Sequence, residues 1–226
     1  MNQTVAIVLS GCGVYDGSEI TEAAGVVIAL SQAGLPYAFY APDRAQMHVI
    51  DHVRGQESGE TRNILSEAAR IARGQIRSLT ELDAAQHCAI VFPGGFGAAK
   101  NLTTFIKDGK DAVLYDDVRA AVQAFIQQRK PVVALCAAPL VQGLIARDEG
   151  LSGVQITFGS YAEGQAMADA LTSWGQTHVE TPVDQACIDL AHRFVSAPAY
   201  MYGAATPAQV FASCQAAVAA LKSLLD

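Results

Sequence analysis

The sequence lacks most of the features that mark nucleic-acid-binding and membrane proteins. Only 15 of its 226 residues are Lys or Arg, against 22 Asp or Glu, and the basic residues form no cluster. The resulting net charge of −7 argues against a nucleic-acid or other polyanionic partner. No uninterrupted apolar run reaches the roughly 18 residues of a membrane span, and the first residues lack the basic segment of a secretory signal. We therefore expect a soluble, cytoplasmic protein that does not bind membranes.

Cysteine is scarce and irregularly placed. The five cysteines stand at positions 12, 88, 136, 187 and 214, without a C-x-x-C pair or a spacing typical of metal ligands. An odd, scattered set of this kind predicts reduced thiols rather than a disulfide or zinc framework. We expect neither a metal nor another cofactor.

Short apolar runs alternate with helix-length amphipathic segments along the chain. This alternation predicts a flavodoxin-like three-layer α/β/α sandwich with a mostly parallel central sheet. No linker or change of composition divides the chain, so we expect one domain over residues 1–226. Helices are predicted over 21–33 and 63–73, from 117 to the proline at 131, and from 206 onwards. Strands are predicted over residues 5–9, 37–40, 88–92, 132–135, 154–157 and 194–197.

Three unusual stretches each follow a predicted strand. They are SGCGVYDGSEITEA from residue 10, PGGFGAAKNL from residue 93, and LCAAP from residue 135. Ligands of parallel sheets bind beyond the carboxyl ends of the strands. We therefore expect the three stretches to line one crevice.

Cys136 stands where a buried strand turns sharply toward the next helix. The run PVVAL ends directly before it, and Ala137 and Ala138 can open a helix. Unpaired N–H groups and the helix dipole favour a thiolate there, so we expect a lowered pKa and preferential alkylation of Cys136 at mildly acidic pH. The alternative for any free cysteine is a small buried hydrophobic residue, an interpretation that suits Cys88 and Cys214.

The glycine pair Gly94 and Gly95 follows the strand that precedes PGGFGAAKNL. Glycine allows close backbone approach, so these N–H groups can face a ligand atom. The spacing matches neither the P-loop nor the dinucleotide-binding pattern. The N–H groups of Gly95 and Ala137 would suit an oxyanion formed when Cys136 attacks a carbonyl carbon. The alternative is a tight turn that merely closes the connection.

A thiol used for carbonyl chemistry needs a proton partner. Among the five histidines, His87 and His192 lie near predicted strand starts, at the wrong end of the sheet, and the other three are undetermined. Glu19 and Glu22 open the first helix three residues apart and can face the neighbouring strand end. Acids in a first turn commonly complement the helix dipole, which is our interpretation of Glu19.

The chain resembles the ElbB family, the isoprenoid-biosynthesis glyoxalases also called enhancing-lycopene-biosynthesis proteins. This family lies within the class I glutamine-amidotransferase-like superfamily of PfpI-type proteins. The resemblance covers nearly the whole chain, and its motifs are SGCGVYDGSEITEA, YAPDRAQMHVIDH, TRNILSEAARIARG, PGGFGAAKNL, LCAAP and SAPAYM. It implies one such domain over residues 1–226, with Cys136 as nucleophile, Glu22 as its acid/base partner, and Gly95 and Ala137 at the oxyanion positions.

The resemblance also implies an activity. ElbB-like proteins convert glyoxal to glycolate without glutathione, a lyase activity that can reflect repair of glycated molecules. It implies a small dicarbonyl substrate, no cofactor and a homodimer. Relatives with a Cys-His pair carry histidine where this chain has Ala137 or Gly159, which argues against protease and amidotransferase activity. Two alternatives stay open: a redox-sensing thiol or binding protein without turnover, and a glutamine amidotransferase.

Overall fold

The computed structural model describes residues 4–226. A seven-stranded sheet forms its centre, in the order β10-β11-β7-β6-β1-β2-β5. In chain order the elements are β1 (Thr4–Val8), α1 (Ile20–Gln32), β2 (Tyr37–Ala41), β3 (Ile50–Asp51), β4 (Gln56–Glu57), α2 (Ile64–Ile71), β5 (Ile76–Ser78), β6 (His87–Phe92), α3 (Phe105–Asp108), α4 (Asp116–Gln127), β7 (Val132–Leu135), α5 (Pro139–Asp148), β8 (Gln155–Ile156), α6 (Tyr161–Ser173), β9 (Thr177–His178), β10 (Cys187–Asp189), β11 (Phe194–Ala197) and α7 (Pro207–Leu225).

The sheet is parallel except for β10, which pairs antiparallel with β11. All four residues of β7 and of β11 are buried, as expected of strands covered on both faces. The carboxyl ends of β1, β6, β7 and β11 therefore meet at one edge of the sheet. This arrangement confirms the predicted flavodoxin-like sandwich with a mostly parallel sheet.

Helices α1, α2, α4 and α7 follow the predicted helix ranges closely. Helix α7 opens with a capping box in which Thr206 and Gln209 bond each other's backbone N–H groups, with Pro207 at the first helical position. By length and mean hydropathy α7 could cross a membrane, but it packs its buried face on α1 and β11. Its apolar character is thus that of a helix in the protein core.

One strand assignment from the sequence is wrong, and two strands of the central sheet were not predicted. The apolar run over 154–157 forms only β8, which pairs with β9 outside the central sheet. Val154 and Ile156 are nevertheless fully buried. An apolar run of this kind therefore looks the same in the sequence whether it forms β8 or a strand of the central sheet. Strands β5 and β10 were not predicted, because they are three residues long and partly exposed.

A strap over residues 45–63 crosses the carboxyl edge of the sheet. It is closed by an antiparallel bridge between Ala45 and Asn63 and contains the β3–β4 hairpin. Asn101 fixes the strap to the loop after β1, because its side-chain amide donates to the carbonyls of Ser10 and Asp16, both at 2.8 Å, and its side-chain oxygen accepts from Met47 N–H. Asn101 belongs to a π-helical turn over Ala98–Leu102, a geometry frequent near functional sites.

Candidate active site

Cys136 occupies a strained turn directly after β7. Its φ is +55°, a left-handed conformation that a residue with a side chain rarely adopts. The Cys136 N–H donates to Ala197 of β11 at 2.9 Å, and Ala138 N–H closes the turn on Leu135 at 2.9 Å. Helix α5 begins at Pro139, two residues later than Ala137, where the sequence indicated that a helix could open. Backbone hydrogen bonds on both sides of Cys136 therefore hold the turn in place.

Glu22 brings a carboxylate to the same place from α1. It is fully buried and accepts two backbone hydrogen bonds, from Gly94 N–H at 2.9 Å and from Tyr200 N–H at 3.2 Å. Its carboxyl also hydrogen-bonds the Cys136 thiol. Glu19, at the N-cap of α1, accepts from Glu22 N–H at 2.7 Å, as expected of a first-turn acid that caps the helix.

Backbone N–H groups surround the thiol. Those of Gly95 and Ala137, the two amides expected to face an oxyanion, both donate to the Cys136 sulfur. The Gly94 N–H does not join them, because it is used by Glu22. Gly94 instead packs closely against both Cys136 and Glu22: a Cβ there would lie 2.4 Å from Cys136 Cβ and 2.5 Å from Glu22 Oε2.

The environment raises the pKa of both groups. Burial raises the pKa of Glu22 to about 8, and the negative charge of Glu19 adds to the effect, while the N–H groups of Tyr200 and Gly94 and the thiol oppose it. Burial and the charge of Glu22 raise the pKa of the Cys136 thiol well above its usual range, against the N–H groups of Gly95 and Ala137. The prediction of a lowered thiol pKa is therefore wrong.

The physical reason for that error is desolvation. The sequence places Cys136 at a turn rich in N–H groups, but it does not reveal that only 8% of the residue is exposed. Burial disfavours a thiolate more strongly than two N–H groups favour it. Preferential alkylation at mildly acidic pH consequently has no support in this structure.

Tyr200 is a contributor that sequence reasoning missed. It belongs to the motif SAPAYM, and its N–H reaches Glu22 because Ala199 adopts a left-handed φ of +46°. Ser213 of α7 secures this turn by accepting from Ala199 N–H at 3.0 Å. Two signals could have pointed to it: its place in the motif SAPAYM, and its position after β11, since ligand-facing groups follow parallel strands.

No histidine within residues 4–226 hydrogen-bonds Cys136. Each has partners elsewhere: His48 pairs with Glu57, His52 with Ile50 and Tyr15, His87 with Thr4 and Tyr40, His178 with Phe158, and His192 with Asp189. The same part of the chain contains no group of three or more His, Cys, Asp or Glu arranged to hold a metal. The chemistry available at the site is therefore that of a thiol, a carboxyl and backbone amides.

Comparisons with known proteins agree with this architecture. The chain is 46% identical over 204 residues to the human glutamine amidotransferase-like class 1 domain-containing protein 3, mitochondrial, with 87% of this chain and 74% of the human protein covered. A crystal structure from Ehrlichia chaffeensis, an isoprenoid biosynthesis protein with an amidotransferase-like domain, superimposes with a TM-score of 0.88 at 30% identity and covers 97% of this chain and 99% of that one. Glyoxalase III from Candida albicans shares the fold, with a TM-score of 0.62 at 14% identity and coverage of 96% and 97%. No family model matches the chain.

The parallel sheet with a cysteine at the turn after β7 defines a sandwich of the DJ-1/ThiJ/PfpI type, a fold that structures bearing those names share. Within that class, the identity to the human protein is decisive. The chain belongs to the glutamine amidotransferase-like class 1 family.

Proposed function

We propose that the protein is a cofactor-independent glyoxalase of the ElbB type, which converts glyoxal or a similar small dicarbonyl into a hydroxy acid without glutathione. The observation that carries the proposal is the buried pair of Cys136 and Glu22, with the N–H groups of Gly95 and Ala137 on the sulfur. An internal redox reaction needs a nucleophile, oxyanion donors, and a base that can take and return a proton near neutral pH. This site offers all three.

The reaction begins with the ionised form of Glu22. Glu22 takes the thiol proton while the Cys136 sulfur attacks one aldehyde carbon of glyoxal. The aldehyde oxygen becomes an oxyanion beside the Gly95 and Ala137 N–H groups and then receives the proton, which gives a hemithioacetal. Glu22 next removes the C–H proton from the attacked carbon, which leaves an enediolate with its negative charge on the second oxygen of glyoxal.

Return of that proton to the neighbouring carbon, with transfer of the hemithioacetal hydroxyl proton to the second oxygen, leaves a thioester of glycolic acid on Cys136. Water cleaves the thioester and releases glycolate and the free thiol. One carbon of glyoxal is oxidised from the aldehyde to the acid level, while its neighbour is reduced to an alcohol. The electrons balance within the substrate, so the reaction as written consumes no oxidant, reductant or glutathione.

The two alternatives have less support. A glutamine amidotransferase of this superfamily pairs its cysteine with histidine, and within the described residues Cys136 pairs with Glu22 instead. A thiol sensor needs an accessible cysteine with a low pKa, whereas Cys136 is buried and the pKa of its thiol is raised. Cytoplasmic location and a homodimer stay predictions for this chain, and the human relative is named as mitochondrial.

The test is turnover by the pure protein without glutathione. Proton NMR should show glycolate formed from glyoxal and lactate formed from methylglyoxal. Cys136→Ala should abolish both products, whereas Cys88→Ala, a thiol of β6 outside the site, should retain them. The absence of hydroxy acid with the wild-type protein, or its persistence in Cys136→Ala, would remove the proposal.

A further inference from the structure

A groove of about 490 Å³ lies at the carboxyl edge of the sheet. Its walls come from the loop after β1, the β3–β4 hairpin, the loop after β6, the π-helical turn and α3. The lining residues are Tyr15, Ile50, Gly55, Phe96, Lys100 and Ile106. The Cys136–Glu22 mechanism uses none of these side chains.

The groove presents large apolar side chains to solvent. Tyr15 and Phe96 are each 42% exposed and Ile106 is 44% exposed. The rings of Tyr15 and Phe96 have centroids 6.5 Å apart, and the ring of His52 lies 5.0 Å from Tyr15. A cluster of exposed aromatic faces is a surface on which a flat ring can stack.

Lys100 adds one positive charge to this apolar surface. Its ammonium donates to the carbonyl of Tyr15 at 2.8 Å, and within the described residues no carboxylate lies within ion-pair distance of it. Partial burial lowers its pKa, while the more distant carboxylates of Asp16 and Glu57 oppose that change. Since an ammonium has three donors, two remain for an anionic ligand.

The groove adjoins the candidate active site through the chain itself. Phe96 directly follows Gly95, whose N–H donates to the Cys136 sulfur, and adjacent Cα atoms are about 3.8 Å apart. The Phe96 N–H is fixed on the carbonyl of Val14 at 2.8 Å. The groove and the candidate active site therefore share the loop after β6, with Phe96 lining the groove and Gly95 at the sulfur.

We propose that this groove is a substrate subsite for an aromatic group that ends in a carboxylate. The inference rests on the proposed function and specifies its substrate class: aryl α-oxoaldehydes with an acidic substituent, in preference to glyoxal. Water adds to the aryl oxoaldehyde overall. The aldehyde carbon is oxidised to a carboxylate, and the ketone carbon beside the ring is reduced to an alcohol. The Tyr15 and Phe96 rings would contact the aryl group, and Lys100 would bind its carboxylate.

The kinetic test compares 4-carboxyphenylglyoxal with phenylglyoxal. The wild-type protein should favour the acidic substrate in kcat/KM by about tenfold, the lower end of what a charged hydrogen bond contributes. Lys100→Met should remove that preference, and Lys100→Arg should restore most of it. Lys222→Met removes the same charge from α7, far along the chain, and should leave the preference unchanged. An unchanged preference in Lys100→Met would overturn the subsite.

A binding measurement separates this inference from the proposed function. Calorimetric titration with 4-carboxymandelate, the hydroxy-acid product, should show affinity that falls about tenfold in Lys100→Met and also falls in Phe96→Ala. Such binding without turnover of any oxoaldehyde would support the groove and remove the glyoxalase proposal. Glyoxal turnover without Lys100-dependent binding would support the glyoxalase proposal and contradict the subsite. If Phe96→Ala changed only the sedimentation coefficient, the groove would be covered by a second copy of the chain and the subsite would be wrong.

Discussion

Glu22 carries an ionisable carboxyl to a place with no solvent exposure, between two backbone N–H groups and a thiol. With a pKa of about 8, it is mostly protonated at neutral pH in the ligand-free protein. The proposed reaction starts from its ionised form, so kcat/KM for glyoxal should rise as the pH rises toward about 8. Burial of Glu22 therefore determines both the pKa of its carboxyl and the pH at which the proposed reaction can begin.

Glu19→Gln should move the acidic limb of that pH profile. The charge of Glu19 helps to raise the pKa of Glu22, and a glutamine at the N-cap still offers an oxygen to the Glu22 N–H. Loss of the charge lowers the pKa of Glu22, so the limb should move to lower pH. The measurement is the pH dependence of kcat/KM. Glu163→Gln, in the first turn of α6, is the control and should leave the limb in place; a limb that Glu19→Gln did not move would contradict the assignment.

The sequence places the main residues of the site but not their energetics. Cys136 and Glu22 were expected from the turn, the helix register and the family resemblance, and the structure brings them into hydrogen-bond contact. The predicted direction of the pKa shift of the Cys136 thiol was wrong, because its burial depends on packing by segments distant in the sequence. Tyr200 was missed for the same reason: its contact with Glu22 joins residues 178 positions apart.

The loop after β6 holds the pair at its spacing through a glycine. Gly94 donates its N–H to Glu22 and leaves no room for a side chain beside Cys136. Its φ does not require glycine, in contrast to Gly95 at +99°, so the constraint at Gly94 is steric. This requirement was not visible in the sequence, which predicted only that the N–H groups of both glycines can face a ligand atom.

Gly94→Ala should therefore damage the site more than the fold. The added Cβ would lie 2.4 Å from Cys136 Cβ, which forces a shift of the pair. We expect kcat/KM to fall about 10²-fold, as a displacement near 1 Å can cause, and the free energy of unfolding to fall by about 1–3 kcal/mol. Gly203→Ala, where nothing lies within 4 Å of the new Cβ, is the matched control. Equal kinetics for the two variants would show that Gly94 does not set the spacing.

Elements with complete local signals were predicted well. Strand β7 has the predicted bounds, and α7 begins at Pro207, next to the predicted start at 206. Short elements such as β5 and the π-helical turn at Ala98–Leu102 lack a periodicity that could reveal them. Their conformations follow from the neighbours they pack on, which the sequence does not identify.

The stability of the whole protein should depend on the protonation of Glu22. A rise in its pKa from 4.5 to about 8 means that the folded state binds the proton more tightly than the unfolded state. Stability from this group is therefore fully present below pH 4.5 and is lost as the pH rises to about 8, by roughly 5 kcal/mol in total.

Glu22→Gln removes this titration. The wild-type free energy of unfolding should fall by several kcal/mol more than that of the variant between mildly acidic and mildly alkaline pH. Urea unfolding of both proteins across this range measures the difference. Parallel curves would mean that Glu22 is not protonated preferentially in the folded state, and the proposed acid/base role would lose its physical basis.

The most direct test of the Cys136–Glu22 chemistry is to expose the wild-type protein, Cys136→Ala and Glu22→Gln to ¹³C-labelled glyoxal. Products are followed by NMR and the proteins by peptide mass spectrometry. In Glu22→Gln burial still raises the thiol pKa and no carboxylate takes the thiol proton, so the sulfur should add to glyoxal more slowly, and the C–H proton of the adduct cannot be moved. The account predicts labelled glycolate from the wild-type protein. Cys136→Ala should give neither glycolate nor an adduct at position 136. Glu22→Gln should give an adduct on Cys136, with glycolate reduced by about 10²- to 10⁴-fold. Undiminished glycolate from Glu22→Gln, or an adduct on another cysteine in its place, would contradict it.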